Sequence, residues 1–197
     1  MNAPELIGVG HSLGGLITIE QQSKWHSYDR VAVLGYTALP SDDPTPYPQR
    51  LNAALELLAF QAPDTFAAGY LDVPRSSLEG FFYGDFVDRE VISADARAAT
   101  VMPRVAGAAA MVYGGAANAA ARIDVPVFLC FGEQDLSPEP RREPAAYWSS
   151  DDVTVFVLRG SAHCHNLAPG RAQLWNRLVD WMASGTDRPG VQIPDRH

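Results

Sequence analysis

Four short apolar runs punctuate the chain, at residues 6–9, 31–35, 125–132 and 153–158. Each is dominated by aliphatic and aromatic side chains and bounded by turn-forming residues. Unbroken rather than alternating apolarity is what a strand covered on both faces presents, so the pattern predicts parallel strands inside a sheet. Helical patterns separate the runs, at 13–25, 139–148 and 171–182; in the last, Leu174, Leu178 and Trp181 fall on one stripe. Strands alternating with helices imply an α/β fold with a mostly parallel sheet of about four strands and helices on both faces.

Residues 36–122 break this rhythm. They open on a loop carrying Pro40, Pro44, Pro46 and Pro48, run through helical stretches at 51–60 and 94–100, and include an alanine-rich region around Met111. No run of the buried-strand kind occurs among them. The expectation is a helical cap or lid at 36–122, inserted into a core made of residues 1–35 and 123–197. An aromatic run, Phe81-Phe82-Tyr83 with Phe86, either lines an apolar pocket or forms the cap's own core.

Composition narrows the class. With 197 residues, 47% hydrophobic and 19% charged, the chain reads as one globular domain with an inserted lobe. The formal net charge of −8 disfavours nucleic acid as a partner, and no basic stripe argues otherwise. Cys130 and Cys164 make no disulfide framework, and Cys130 falls in an expected buried strand. A reduced, cytoplasmic protein is expected. No charged-then-apolar leader precedes Leu6 and no apolar run is long enough to span a membrane.

The candidate chemistry lies at the strand ends. Gly10-His11-Ser12-Leu13-Gly14-Gly15 joins the first run to the first helix, so Ser12 sits at the tip of a tight strand-turn-helix. A serine nucleophile needs that exposure to reach both a base and a substrate carbonyl, and small residues two before and two after it are expected where backbone and helix crowd. Asp135 follows the third run, where ligands bind in open α/β sheets; it could orient a histidine or simply cap the next helix. His163 and His165 follow the fourth run, and either suits a general base. As a metal site the pair lacks a third ligand at useful spacing.

Ser, Asp and His in that order, each after its own strand, resemble the α/β-hydrolase superfamily, esterase- and lipase-like in the G-H-S-L-G-G turn. The resemblance implies Ser12 as nucleophile, Asp135 as the orienting acid and the backbone N–H of Leu13 as an oxyanion-hole donor. It favours His163 over His165 as base, because Gly160-Ser161-Ala162-His163 is similar to the family's G-x-G-H turn. Asp42 and Asp43 are minor candidates for the acid. The implied activity is hydrolysis of a small ester with an apolar part, without metal or organic cofactor; thioester, C–C and perhydrolase chemistry use the same triad. Hydrolases of this kind have eight strands, and the four here correspond to the last four. Two expectations follow: a second oxyanion donor normally supplied upstream is missing, and the nucleophile strand forms an exposed edge open to self-association. The competing reading is a catalytically incomplete half-domain that serves only as a binding module.

Overall fold

The computed structural model describes residues 4–184; the remainder of the core range expected at 123–197 lies outside the described residues. Strand β1 (Ile7–His11) leads through Ser12 into helix α1 (Leu13–Trp25), and β2 (Arg30–Leu34) follows. After a long insert come β5 (Val127–Gln134), β6 (Val153–Ala162) and helix α8 (Arg171–Ala183). These four strands form one parallel sheet in the order β1-β2-β5-β6. The architecture is that of a partial α/β-hydrolase fold, with helices packed around the sheet.

Both faces of the two central strands, β2 and β5, are covered, which is why they read as unbroken apolar runs, whereas the edge strands β1 and β6 are only partly buried. Val31 and Val33 of β2, with Val127, Leu129 and Phe131 of β5, pack against Leu16 and Ile19 of α1 and against Ile123 and Tyr147. The alternate residues Ala32, Leu34, Phe128 and Cys130 pack against Leu174, Leu178 and Trp181 of α8. Burying leucines such as Leu174 and Leu178 contributes about 1.5–3 kcal/mol each. Arg30, itself buried, ties β2 to the end of α8: its guanidinium lies over the Trp181 ring and donates to the Met182 carbonyl at 2.9 Å. At the opposite edge β1 has no neighbour beyond β2 among the described residues, and Leu6 and Val9 are exposed there.

The insert contains α2 (Tyr47–Gln61), α3 (Pro63–Ala67), β3 (Tyr70–Leu71), α4 (Glu79–Tyr83), α5 (Arg89–Ala98), β4 (Met102–Pro103), α6 (Arg104–Met111) and α7 (Ala117–Ala120). It has a small core of its own, with Leu58, Leu71 and Ala108 packed among Leu51, Leu55, Phe66 and Met102. Its one departure from the helical pattern is the two-residue antiparallel pairing of β3 with β4.

Two elements differ from the sequence pattern. The helix expected at 139–148 is a 3₁₀ helix, Pro140–Ala146, with Pro144 inside it. Proline has no N–H to donate and its ring crowds the preceding turn, so a regular α-helix does not propagate through this segment. The last two strands also run further than their apolar stretches, to Gln134 and Ala162. Backbone pairing carries the polar residues along: Gln134 pairs with Ala162 after a register irregularity between Gly132 and Gln134. The residues immediately beyond that last pair are Asp135 and His163.

Candidate active site

Ser12 is held by its backbone. Its φ of 54° lies in the left-handed region that non-glycine residues seldom adopt, and its N–H donates to the Leu34 carbonyl at 2.8 Å. Serine at the start of a helix ordinarily caps it. Here Ser12 makes no side-chain cap. It donates instead to His163 Nε2 at 2.8 Å.

The turn tolerates no side chain at Gly10, where a Cβ would lie 2.1 Å from the Gly14 carbonyl oxygen. The expected need for a small residue at Gly14 is not seen: a Cβ there meets nothing within 4 Å. The tight position is the next one, Gly15, whose Cβ would meet Tyr36 at 3.0 Å and Val33 at 3.2 Å. Helix and strand close on each other one residue later than the motif spacing suggests.

On its other side His163 donates Nδ1–H to Asp135 Oδ1 at 2.7 Å. The same oxygen accepts the Leu136 N–H at 2.7 Å, and Oδ2 accepts the Gly132 N–H at 3.2 Å. Asp135 therefore serves as acceptor to the end of its own strand and to the histidine, and it caps no helix. Burial alone would push its carboxyl up, but the hydrogen bonds and charge from the histidine side outweigh this and hold it well below the usual carboxylate range.

His165 is fully buried, with Nδ1 3.5 Å from Asp135 Oδ2, too long for a formed bond, and the Ser12 hydroxyl is bonded to His163 instead. Asp42 and Asp43 lie in the exposed loop after β2, where Asp43 accepts the Thr45 N–H. Cys164, between the two histidines, has its thiol pushed up to about 12, first by burial, so it offers no thiolate at neutral pH. Leu13 opens α1, and its N–H precedes the first residue able to close a helical bond. Among the described residues no group of three or more His, Cys, Asp or Glu is placed to hold a metal.

His11, the residue before Ser12, also borders this cluster. Its Nε2–H donates to the His163 carbonyl at 2.9 Å, and its ring lies 5.0 Å from those of both His163 and His165. His11, His165 and Asp135 converge over Gly35, where φ is +61° and a Cβ would sit 3.1 Å from His11 Nε2, 3.2 Å from the His165 ring and 3.3 Å from Asp135 Oδ2. Burial first, then the two neighbouring imidazoles, lowers the His11 ring to about 4. The sign follows from proton counts: between about pH 6.5 and 4 the unfolded chain binds more protons than the folded one, so stability falls as pH drops through that window. The full effect is at most about 3 kcal/mol. Urea midpoints at pH 7 and pH 4 should show it in the natural chain and show much less of it in His11→Gln. An equal pH response in both proteins would refute the assignment.

Residues 2–172 match the family model described as "Alpha/beta hydrolase family". The chain belongs to the alpha/beta hydrolase family. Solved structures share the fold at low identity. A lipase in an open form matches with a TM-score of 0.63 at 20% identity, covering 92% of this chain and 66% of that one. A monoacylglycerol lipase from Paleococcus ferrophilus gives 0.60 at 19%, covering 90% and 68%. A bromoperoxidase from Bacillus anthracis gives 0.63 at 16%, covering 90% and 67%. This alpha/beta hydrolase chain thus spans about two thirds of the length of the solved structures it matches. No curated protein gives a significant sequence match. Among the described residues no helix is long and apolar enough to cross a membrane.

Proposed function

We propose that this chain carries the catalytic half of a serine hydrolase that cleaves a carboxylic ester with an apolar acyl or alcohol part. The observation that carries the reading is the continuous relay from Ser12 Oγ to His163 Nε2 at 2.8 Å and from His163 Nδ1 to Asp135 Oδ1 at 2.7 Å. Spacing of this kind lets one imidazole take a proton from the nucleophile while the carboxylate fixes its tautomer. The names of the similar structures, among them a lipase and a monoacylglycerol lipase, support ester chemistry; the bromoperoxidase shows that the same fold is also named for other chemistry.

In this mechanism Ser12 Oγ attacks the ester carbonyl carbon and its proton passes to His163 Nε2. The carbonyl oxygen becomes an oxyanion, which the Leu13 N–H meets at the helix start. Asp135, ionised throughout, accepts Nδ1–H and stabilises the imidazolium. When the tetrahedral adduct collapses, the C–O bond to the alcohol breaks and the alcohol takes the proton from Nε2. Water then attacks the acyl-serine by the same route in reverse, releasing the acid and restoring Ser12. No step calls for a metal or an organic cofactor.

A pre-steady-state assay on p-nitrophenyl esters of increasing acyl length tests this reading. The expected result is a burst of nitrophenol proportional to enzyme, followed by slower turnover, with butyrate and longer chains preferred over acetate. Linear release with no dependence on folded protein would favour the half-domain reading instead.

A further inference from the structure

His163 makes two side-chain hydrogen bonds, one at each ring nitrogen, and each is strongest when the partner lies near the ring plane. They fix the ring's position between Ser12 and Asp135, and they oppose its roll about the line joining the two nitrogens only through their own angular dependence. Rolling spoils both bonds, since a ring N–H bonds well only near its own plane. A group packed on the face of the imidazole resists that roll directly, and the insert supplies one. Phe81, on helix α4, lies nearly parallel to the His163 ring, with centroids 4.6 Å apart and planes inclined by 19°. The Phe82 ring is 5.6 Å away.

The backbone repeats the connection. The Phe82 carbonyl accepts the Cys164 N–H at 2.7 Å, and the Phe81 carbonyl accepts the His163 N–H at 3.3 Å. Helix α4 is anchored from behind. Tyr83 is buried and its hydroxyl donates to Asp95 at 2.5 Å; Arg75 pairs with the same carboxylate at 3.2 Å and lies over the Phe82 ring at 4.9 Å. Phe82 and Tyr83 fix the helix, while Phe81 is 39% exposed and spends its ring on the histidine.

We infer that Phe81 is a positioning residue for His163, through which the insert sets the orientation of the base. The inference rests on the reading of His163 as base, and it goes beyond that reading by making the insert part of the catalytic geometry rather than only a wall for substrate. A flat aromatic neighbour is the requirement, so volume alone does not replace it.

The test compares Phe81→Leu and Phe81→Met, which keep apolar bulk without a ring, with Phe81→Tyr, which keeps the ring. Partial exposure of Phe81 makes all three compatible with folding, which circular dichroism verifies. The first readout is the low-field proton resonance of His163 Nδ1–H, which needs no substrate. It should be sharp in the natural chain and in Phe81→Tyr, and displaced or broadened in the other two. The second is kinetic: the Leu and Met variants should lose about tenfold in the rate of serine labelling by a fluorophosphonate and in kcat, with KM changed by less than about twofold. Phe81→Tyr should stay within about twofold of the natural chain. An unchanged resonance and labelling rate in Phe81→Leu, or a loss confined to KM, would overturn the inference. If the natural chain takes no label at all, the serine-hydrolase reading falls, and the resonance alone still decides whether Phe81 orients the ring.

Discussion

Asp135→Asn is expected to lower kcat by about four orders of magnitude while the chain stays folded. Asp135 accepts three hydrogen bonds with its two oxygens, from His163, Leu136 and Gly132. An asparagine has one acceptor oxygen and one donor amide. If its oxygen keeps His163 and Leu136, its NH₂ opposes the Gly132 N–H. If it turns to satisfy Gly132, it offers a donor to His163 Nδ1, which then becomes the acceptor and leaves Nε2 protonated. The base is then in the wrong tautomer to take the Ser12 proton. The carboxyl's folded titration lies below its unfolded one, so its contribution to stability is complete above about pH 4 and is lost only as pH falls through the folded value. Turnover at neutral pH, with folding followed by circular dichroism, therefore reads the full effect. A drop of less than about tenfold would mean that Asp135 does not orient the base.

The second large effect is structural. Gly10→Ala places a methyl 2.1 Å from the Gly14 carbonyl oxygen and 2.5 Å from Thr18 Oγ1, and the first of these is backbone that cannot step aside. The Gly14 carbonyl also accepts the Thr18 hydroxyl at 2.9 Å, so strand and helix must part at the turn that presents Ser12. A loss of about 3 kcal/mol in stability is expected, together with loss of serine labelling. Gly14→Ala is the control. Its methyl meets nothing within 4 Å and sits in a helix, so stability should hold or rise by up to about 1 kcal/mol. Equal damage from both substitutions, read from urea midpoints, would contradict the packing described here.

Much of this architecture was legible because burial on both faces leaves a plain signature. Val31 to Leu34 and Val127 to Phe131 are apolar at every position, and both are buried throughout. The polar ends of β5 and β6 carry no such signature. Their extension to Gln134 and Ala162 depends on pairing with a neighbour, which no local pattern records. At 139–148 the helical pattern concealed Pro144, whose missing N–H matters more than the spacing of its neighbours.

The site divides in the same way. Ser12, Asp135, His163 and Leu13 stand out because each occupies a strand end or helix start, positions that sequence order reveals. His11 and Phe81 do not. His11 matters through a bond to a carbonyl 152 positions away, and Phe81 through a ring contact 82 positions away. The aromatic run from Phe81 to Tyr83 signalled that something apolar was built there. It did not say that one ring stacks on His163 while the others anchor the helix.

The proposed role of Ser12, a nucleophile activated by His163, is read most directly by a covalent label. The folded chain would be treated with a fluorophosphonate, digested, and its peptides weighed by mass spectrometry. One adduct is expected, on the peptide containing Ser12, absent from Ser12→Ala and slowed by at least about a hundredfold in His163→Gln. An adduct on a different serine, or labelling at an undiminished rate in His163→Gln, would contradict it.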